Sequence, residues 1–153
     1  MSKKQDEAVE TFKSGFNCAQ SVLSTFSDLL ESNPEQLRSV SVGFGGGMGK
    51  LQETCGAATG AYMLFSIYCS NKTADNEEAK AASALMIRKF SQKFNQIEGS
   101  TNCKTLIGVD LQTEEGMKEA TDKGLFDKVC GKCVGTAVRI IEDMLGEKAS
   151  ISD

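Results

Sequence analysis

The sequence predicts an all-α protein, a single-domain bundle of five to seven helices. Apolar residues recur at helical spacing along most of the chain, no segment alternates apolar and polar residues as a half-buried strand does, and there is one proline. The chain has 153 residues, 40% of them hydrophobic and 25% charged, which is enough for one domain with its own core. No linker, internal repeat or low-complexity tract divides it.

Segment 55–70 is predicted to be a central helix around which the other helices pack. No charged side chain occurs from Thr54, its expected N-cap, to Asn71, and a helix without a polar face must be covered on all sides. Its apolar run approaches the length of a membrane span but is diluted by Gly56, Gly60 and hydroxyl residues, so we expect no membrane insertion. An uncharged helix is also a candidate contact between subunits of a homo-oligomer.

The other helices are predicted from polar N-caps and from apolar stripes that include Leu29, Val40 and Ile97. The tail after Lys148 is expected to fray. The expected caps are Asn17 with Gln20, Asn33 before Pro34, Asp75, Asn102, and Thr113 or Asp110, with Gly99 as a C-cap. The predicted segments are 3–13, 17–29, 34–44, 76–97, 103–107, 114–122 and 125–145.

The composition excludes several classes of function. A net charge of −4 without a basic stripe argues against nucleic acid as a partner. The chain contains no histidine, which rules out Ser-His and Cys-His nucleophile pairs and imidazole metal ligands. The N-terminus lacks the apolar core of a secretory signal, so we expect a cytoplasmic protein whose six cysteines stay reduced.

Three cysteines follow residues of the N-cap type: Cys18, Cys55 and Cys103. Each would lie in the first turn of a helix, where backbone N–H groups and the helix dipole stabilise a thiolate. Cys130 and Cys133 form a Cys-x-x-Cys pair inside a helical stripe, where a reactive pair and two small core residues are both open interpretations.

A glycine-dense loop, 43–49, precedes the predicted central helix. It fits the glycine pattern of nucleotide-binding loops loosely, but it follows a helix rather than a strand, and no Lys-Ser/Thr pair follows it. We therefore favour a close backbone approach by Gly46, Gly47 and Gly56 to a sulfur site or to another helix.

Several of these motifs together resemble the bacterial and archaeal C_GCAxxG_C_C family of redox-active proteins. They are Asn17-Cys18-Ala19-Gln20, Gly45-Gly46-Gly47-Met48-Gly49, Cys55-Gly56-Ala57-Ala58-Thr59-Gly60, Cys103, and Cys130 with Val134 and Ala137. The resemblance covers the chain from about Lys13 to Leu145. It implies a small redox protein whose four family cysteines are Cys18, Cys55, Cys103 and Cys130. A similar domain is fused to haem-binding segments in some split-Soret cytochromes, for which an iron–sulfur site has been suggested.

Three functions follow as hypotheses. In the first, Cys18, Cys55, Cys103 and Cys130 ligate an iron–sulfur cluster for electron transfer. In the second, the protein is a cofactor-free thiol–disulfide protein, with Cys55 and Cys18 as redox cysteines or Cys130 and Cys133 as the fallback pair. In the third, four thiolates hold a structural zinc ion. The first two describe an electron carrier or an oxidoreductase whose partner is a redox protein or a small redox molecule.

Overall fold

The computed structural model describes residues 1–152 and the side chains of residues 1–146. The described residues form eight α-helices, more than the five to seven expected, and contain no strand, which confirms the all-α prediction. The helices are α1 Lys3–Lys13, α2 Cys18–Thr25, α3 Pro34–Ser41, α4 Gly56–Lys72, α5 Asn76–Glu98, α6 Cys103–Ile107, α7 Glu114–Asp122 and α8 Lys132–Ser152. A 3₁₀ turn, Val42–Phe44, follows α3, and a π-helical turn, Phe126–Gly131, leads into α8.

Two expectations concern the ends and the surroundings of the molecule. The side chains beyond residue 146 lie outside the described ones, so fraying after Lys148 stays a prediction, as does the subunit contact. In the part of the chain that the structure describes, no helix combines the length and the apolar character that crossing a membrane requires.

Polar caps begin the helices where the sequence predicted them. Asn17 Oδ1 accepts from the N–H of Gln20, and Gln20 Oε1 accepts from the N–H of Asn17, both at 2.9 Å, which is a complete capping box. Gly99 ends α5 in the left-handed conformation at φ 89°. The remaining predicted caps that accept N–H hydrogen bonds are Asn33, Asp75, Asn102 and Thr113.

The core lies where α4 packs against α2, α5 and α8. Phe65 on α4 meets Phe90 on α5 edge to face with ring centroids 5.8 Å apart, and Phe90 stacks on Phe94 at 5.7 Å. The first turns of α4 are buried on every side, whereas Ser66 and Ser70 in its second half are exposed. Complete burial of α4 is therefore confined to the part next to its start.

Three side chains expected in the core are exposed: Leu29 at 42%, Val40 at 58% and Ile97 at 51%. Helix α2 ends at Thr25, so the helical spacing does not extend to Leu29, and Leu30 is buried in its place. Val40 and Ile97 lie in the last turns of α3 and α5, where each apolar stripe runs out to the surface.

Two predicted boundaries are also wrong. The N-cap of α4 is Cys55 rather than Thr54, because Thr54 is engaged in an isolated antiparallel bridge with Asn102. The predicted last helix is interrupted, since its first part is the π-helical turn. A π turn contains one more residue than an α turn, so Cys130 in this turn does not share the regular α-helical register of Cys133 in α8.

Gly60 lets α4 approach α2 closely. A Cβ atom at Gly60 would lie 2.8 Å from the carbonyl oxygen of Ala19 and 3.2 Å from its Cα. Backbone atoms of a packed helix cannot move aside as a flexible side chain does. Gly60 therefore fixes the distance between the two helices, one of which begins at Cys18 and the other just after Cys55.

We expect Gly60→Ala to lower the free energy of unfolding by about 1–3 kcal/mol, because the added methyl group overpacks the α2–α4 contact. Gly135→Ala on α8 is the matched control. Its Cβ would meet Val9 Cγ2 at an ordinary 3.8 Å, so better helix propensity should raise the stability by up to about 1 kcal/mol. Urea denaturation followed by circular dichroism measures both. Equal changes in the free energy of unfolding of the two variants would contradict the close approach of α4 to α2 at Gly60.

Candidate functional site

Two helix starts are joined by an isolated antiparallel bridge between Thr54 and Asn102. Two backbone hydrogen bonds of 2.7 Å form it: Cys55 N–H to Thr101 C=O, and Cys103 N–H to Glu53 C=O. The Nδ2 group of Asn102 adds a hydrogen bond to the carbonyl of Gln52 at 3.3 Å. The bridge therefore holds Cys55 and Cys103 side by side, each at the beginning of its helix.

The chain enters this bridge through a left-handed turn. All five residues of the range 46–50 have φ between 59° and 70°, and two of them, Met48 and Lys50, are not glycines. Such a conformation costs a residue with a side chain about 1–2 kcal/mol. The N–H groups of Gln52 and Glu53 donate back to the carbonyls of Gly46 and Gly47 at 3.0 Å, which stabilises the turn.

The left-handed turn presses Gly47 against Cys103. A Cβ atom on Gly47 would lie 2.7 Å from Cys103 Cβ and 2.6 Å from the backbone nitrogen of Glu53. Gly56 makes a similar approach to α2, since its Cβ would lie 3.1 Å from Cys18 Cβ. The expected close passage of glycine backbone at a sulfur site is therefore present at two of the family cysteines.

Gln52 supports the site and was missed by sequence reasoning. Its side chain is buried at 4% exposure although φ is 58°. Nε2 donates to the carbonyl of Val109 at 2.8 Å, and Oε1 accepts from the N–H of Leu111 at 2.9 Å. These bonds fix the loop after α6 against the bridge. No local sequence signal marks this glutamine, because its partners are far away in the chain.

A cavity of about 500 Å³ lies between these segments. All four cysteines singled out from the sequence line it: Cys18 from α2, Cys55 from the start of α4, Cys103 from α6 and Cys130 from the π-helical turn. Gly46, Gly47 and Gly56 line it as well. The structure thus brings together every residue proposed for the site, although the four cysteines come from four separate segments.

The rest of the cavity wall is mainly apolar. Leu111, Met117 and Phe126 contribute side chains, and Lys50 carries the one charge among the described lining residues. Of the two remaining cysteines, Cys69 is buried toward the far end of α4, where its Sγ contacts Met86 Sδ at 3.6 Å. Cys133 is 1% exposed and does not belong to the described lining of the cavity.

The pKa of Cys55 is lowered from its ordinary value of 9.0. The hydrogen bond from the Cys133 thiol is the largest cause, and the N–H groups of Ala57 and Ala58 at the start of α4 lower the pKa further, against the opposing effect of burial. Cys55 is therefore the cysteine for which the structure favours the thiolate, as its position at a helix start predicted.

The pKa values of Cys18, Cys103 and Cys133 are raised, which favours the neutral thiol at each. A hydrogen bond with Cys130 is the largest cause of the raised pKa of Cys18, followed by burial. Burial raises the pKa of Cys103 to about 12, and the nearby Cys55 adds to the shift. The hydrogen bond with Cys55, and then burial, raise the pKa of Cys133. Without a bound metal, the pKa directions thus agree with the expected thiolate at Cys55 and oppose it at Cys18, where the hydrogen bond with Cys130 is the largest cause, and at Cys103, where burial is.

The donor atoms surround the cavity rather than a single point. Within the described residues, no three side chains among the cysteines and carboxylates converge closely enough to hold one metal ion. All six cysteines are free thiols. The cysteines that line the cavity, Cys18, Cys55, Cys103 and Cys130, are the residues that could hold a metal group there.

Residues 16–144 match the model of the family described as "Putative redox-active protein (C_GCAxxG_C_C)". The chain belongs to this family. The match confirms the resemblance, and the family's description gives redox activity as the class of function without naming a cofactor. Neither the curated proteins nor the solved structures contain a significant match to this C_GCAxxG_C_C protein.

We expect Gly47→Ala to displace Cys103 and to disrupt the cavity, because its methyl group would collide with Cys103 Cβ and with the backbone of Glu53. Gly49→Ala is the matched control, since Gly49 has a similar positive φ of 59° but nothing within 4 Å of the added Cβ. In both variants the free energy of unfolding should fall by about 1–2 kcal/mol, because a residue with a side chain must adopt the left-handed conformation. Only Gly47→Ala should also change the alkylation rate of Cys103, measured by mass spectrometry.

In metal-free, reduced protein, we expect iodoacetamide to alkylate Cys55 faster than Cys103 at neutral pH. A lowered pKa means that the Cys55 thiolate forms below pH 9.0, whereas Cys103 should gain reactivity only as the pH approaches about 12. Fragment spectra of tryptic peptides assign each site across a pH series. Equal rates for Cys55 and Cys103 at pH 7 would refute this ordering.

Proposed function

We propose that this family member is an electron-transfer protein in which Cys18, Cys55, Cys103 and Cys130 ligate an iron–sulfur cluster. The observation that carries the proposal is the lining of one cavity of about 500 Å³ by these four thiols, from four separate segments of the chain. Four cysteine thiolates are the usual ligand set of such clusters, which supply one-electron oxidation and reduction when bound.

The surroundings of the thiols support the proposal. Apolar side chains and buried helix starts restrict water, and glycine backbone passes close to Cys18 and Cys103. Solvent exposure and hydrogen bonds to sulfur are the protein's main means of setting a cluster potential. In this chain, the N–H groups of Ala57 and Ala58 at the start of α4 lower the pKa of Cys55, although its side chain makes no capping hydrogen bond. The partner would be a redox protein or a small redox molecule.

The second candidate function is cofactor-free thiol–disulfide exchange, and the lowered pKa of Cys55 favours it. A structural zinc site is the third. For each of these functions we infer a cytoplasmic location, because all six cysteines are free and a reducing compartment keeps them so.

Anaerobic purification with iron, zinc and thiol counting tests the proposal. We expect brown protein that contains iron, with visible absorption bleached by dithionite. Cys55→Ser, Cys103→Ser and Cys130→Ser should each lose most of the iron, because each removes a thiolate ligand. Cys69→Ser is the matched control and should retain the iron. Cys69 lies in α4, the helix that Cys55 caps, but it does not line the cavity.

The same measurements separate the alternatives. Stoichiometric zinc in colourless protein would contradict the cluster and support a structural zinc site. Metal-free protein that reversibly loses two thiols would contradict the cluster and support thiol–disulfide exchange. Full iron content in Cys130→Ser, combined with loss of iron in Cys133→Ser, would identify Cys133 rather than Cys130 as the fourth ligand.

A further inference from the structure

We propose that the left-handed turn at residues 46–50 forms a binding site for a small carboxylate with an apolar body. The N–H groups of Gly46 and Gly47 and the ammonium group of Lys50 hold the carboxylate, and the apolar wall of the cavity holds the body. The inference goes beyond the proposed function, because it needs the cavity but no cluster.

Two backbone N–H groups of this turn lack an acceptor. Among the described residues, the N–H groups of Gly46 and Gly47 donate no hydrogen bond. Gly47 is buried, and buried backbone N–H groups are nearly always paired with protein, water or a ligand. Both glycines line the cavity, so an acceptor held in the cavity can satisfy them.

Both N–H groups point away from the segment that closes the turn. The described peptide bonds are trans, and in a trans peptide the N–H is directed opposite to the C=O that precedes it. The carbonyl of Gly45 faces the N–H of Lys50 at 3.3 Å, and the carbonyl of Gly46 faces the N–H of Gln52 at 3.0 Å. The N–H groups of Gly46 and Gly47 therefore project together from the other side of the turn. Neighbouring N–H groups in such turns form anion-binding concavities.

Lys50 supplies the positive charge of this site. It is the one charged residue of the described lining, which contains no carboxylate to neutralise it, and the salt bridges of the described residues do not involve it. Its side chain lies along the turn, since a Cβ atom on Gly46 would be 2.9 Å from Lys50 Cγ. One cation and two N–H groups match a single carboxylate, whereas a phosphate dianion would keep an uncompensated charge in an apolar cavity.

The rest of the cavity accommodates an apolar body. Its volume of about 500 Å³ lies within the range of small-molecule sites, about 300–1,000 Å³. Such sites combine apolar walls with a few polar groups that fix the orientation of the ligand. Here Leu111, Met117 and Phe126 contribute the apolar wall.

Isothermal titration calorimetry of the full chain, purified anaerobically, tests the site. The probe is 2-naphthoate, and 2-naphthamide is its neutral analogue of the same shape. We expect the wild type to bind 2-naphthoate more tightly than 2-naphthamide. Lys50→Gln should lower the affinity for 2-naphthoate about fivefold and leave that for 2-naphthamide unchanged, because only the carboxylate needs the charge. Lys104→Gln is the matched control, since Lys104 is exposed next to Cys103 but does not line the cavity.

Three results would overturn the proposal. Absence of 2-naphthoate binding would mean that water satisfies the two N–H groups. Equal affinity of the wild type for the two naphthalene ligands, or an equal loss in Lys50→Gln and Lys104→Gln, would refute the anion site. Inorganic phosphate that binds as tightly as 2-naphthoate would refute the apolar body. Iron is counted on each sample, and its absence contradicts the cluster while leaving the comparison of ligands and variants intact.

Discussion

The site depends on two backbone hydrogen bonds of 2.7 Å. The N–H of Cys55 donates to the carbonyl of Thr101, and the N–H of Cys103 donates to the carbonyl of Glu53. They link the start of α4 to the start of α6, and they also end the left-handed turn that begins at Gly46. Several residues in an unfavourable backbone region persist only when both ends of the segment are fixed. Here the 3₁₀ turn after α3 fixes one end and the bridge fixes the other.

The fold could be predicted from the sequence where its determinants are local. A capping box such as Asn17 with Gln20 forms within one helical turn, so the helix starts could be predicted. The bridge of Thr54 with Asn102 could not be predicted, because the partners are distant in the chain and no strand pattern indicates them. Nor does sequence preference assign positive φ to Met48 or Lys50, whose conformations are imposed by the structure around them.

The cysteines of the candidate site were predicted from two kinds of observation. The helix-start context indicated Cys18, Cys55 and Cys103, but spacing alone left Cys130 and Cys133 equivalent, and the family resemblance selected Cys130. Cys130 lies in the π-helical turn and lines the cavity, whereas Cys133 lies in α8 outside the described lining. No propensity in the segment 126–131 predicts this turn. The raised pKa values of Cys18 and Cys103 also escaped prediction, since they depend on hydrogen bonding and burial that only the packed helices create.

The pKa of Cys55 is lowered, whereas those of Cys18, Cys103 and Cys133 are raised, chiefly by hydrogen bonding and burial. The charge on Cys55 adds to these raised pKa values, because like charges in a buried site oppose one another. A bound cationic group reverses this balance and favours all the thiolates that it ligates. Because one sulfur cannot at once ligate a cluster and join a disulfide, the proposed cluster and the second candidate function, thiol–disulfide exchange, would exclude each other at Cys55.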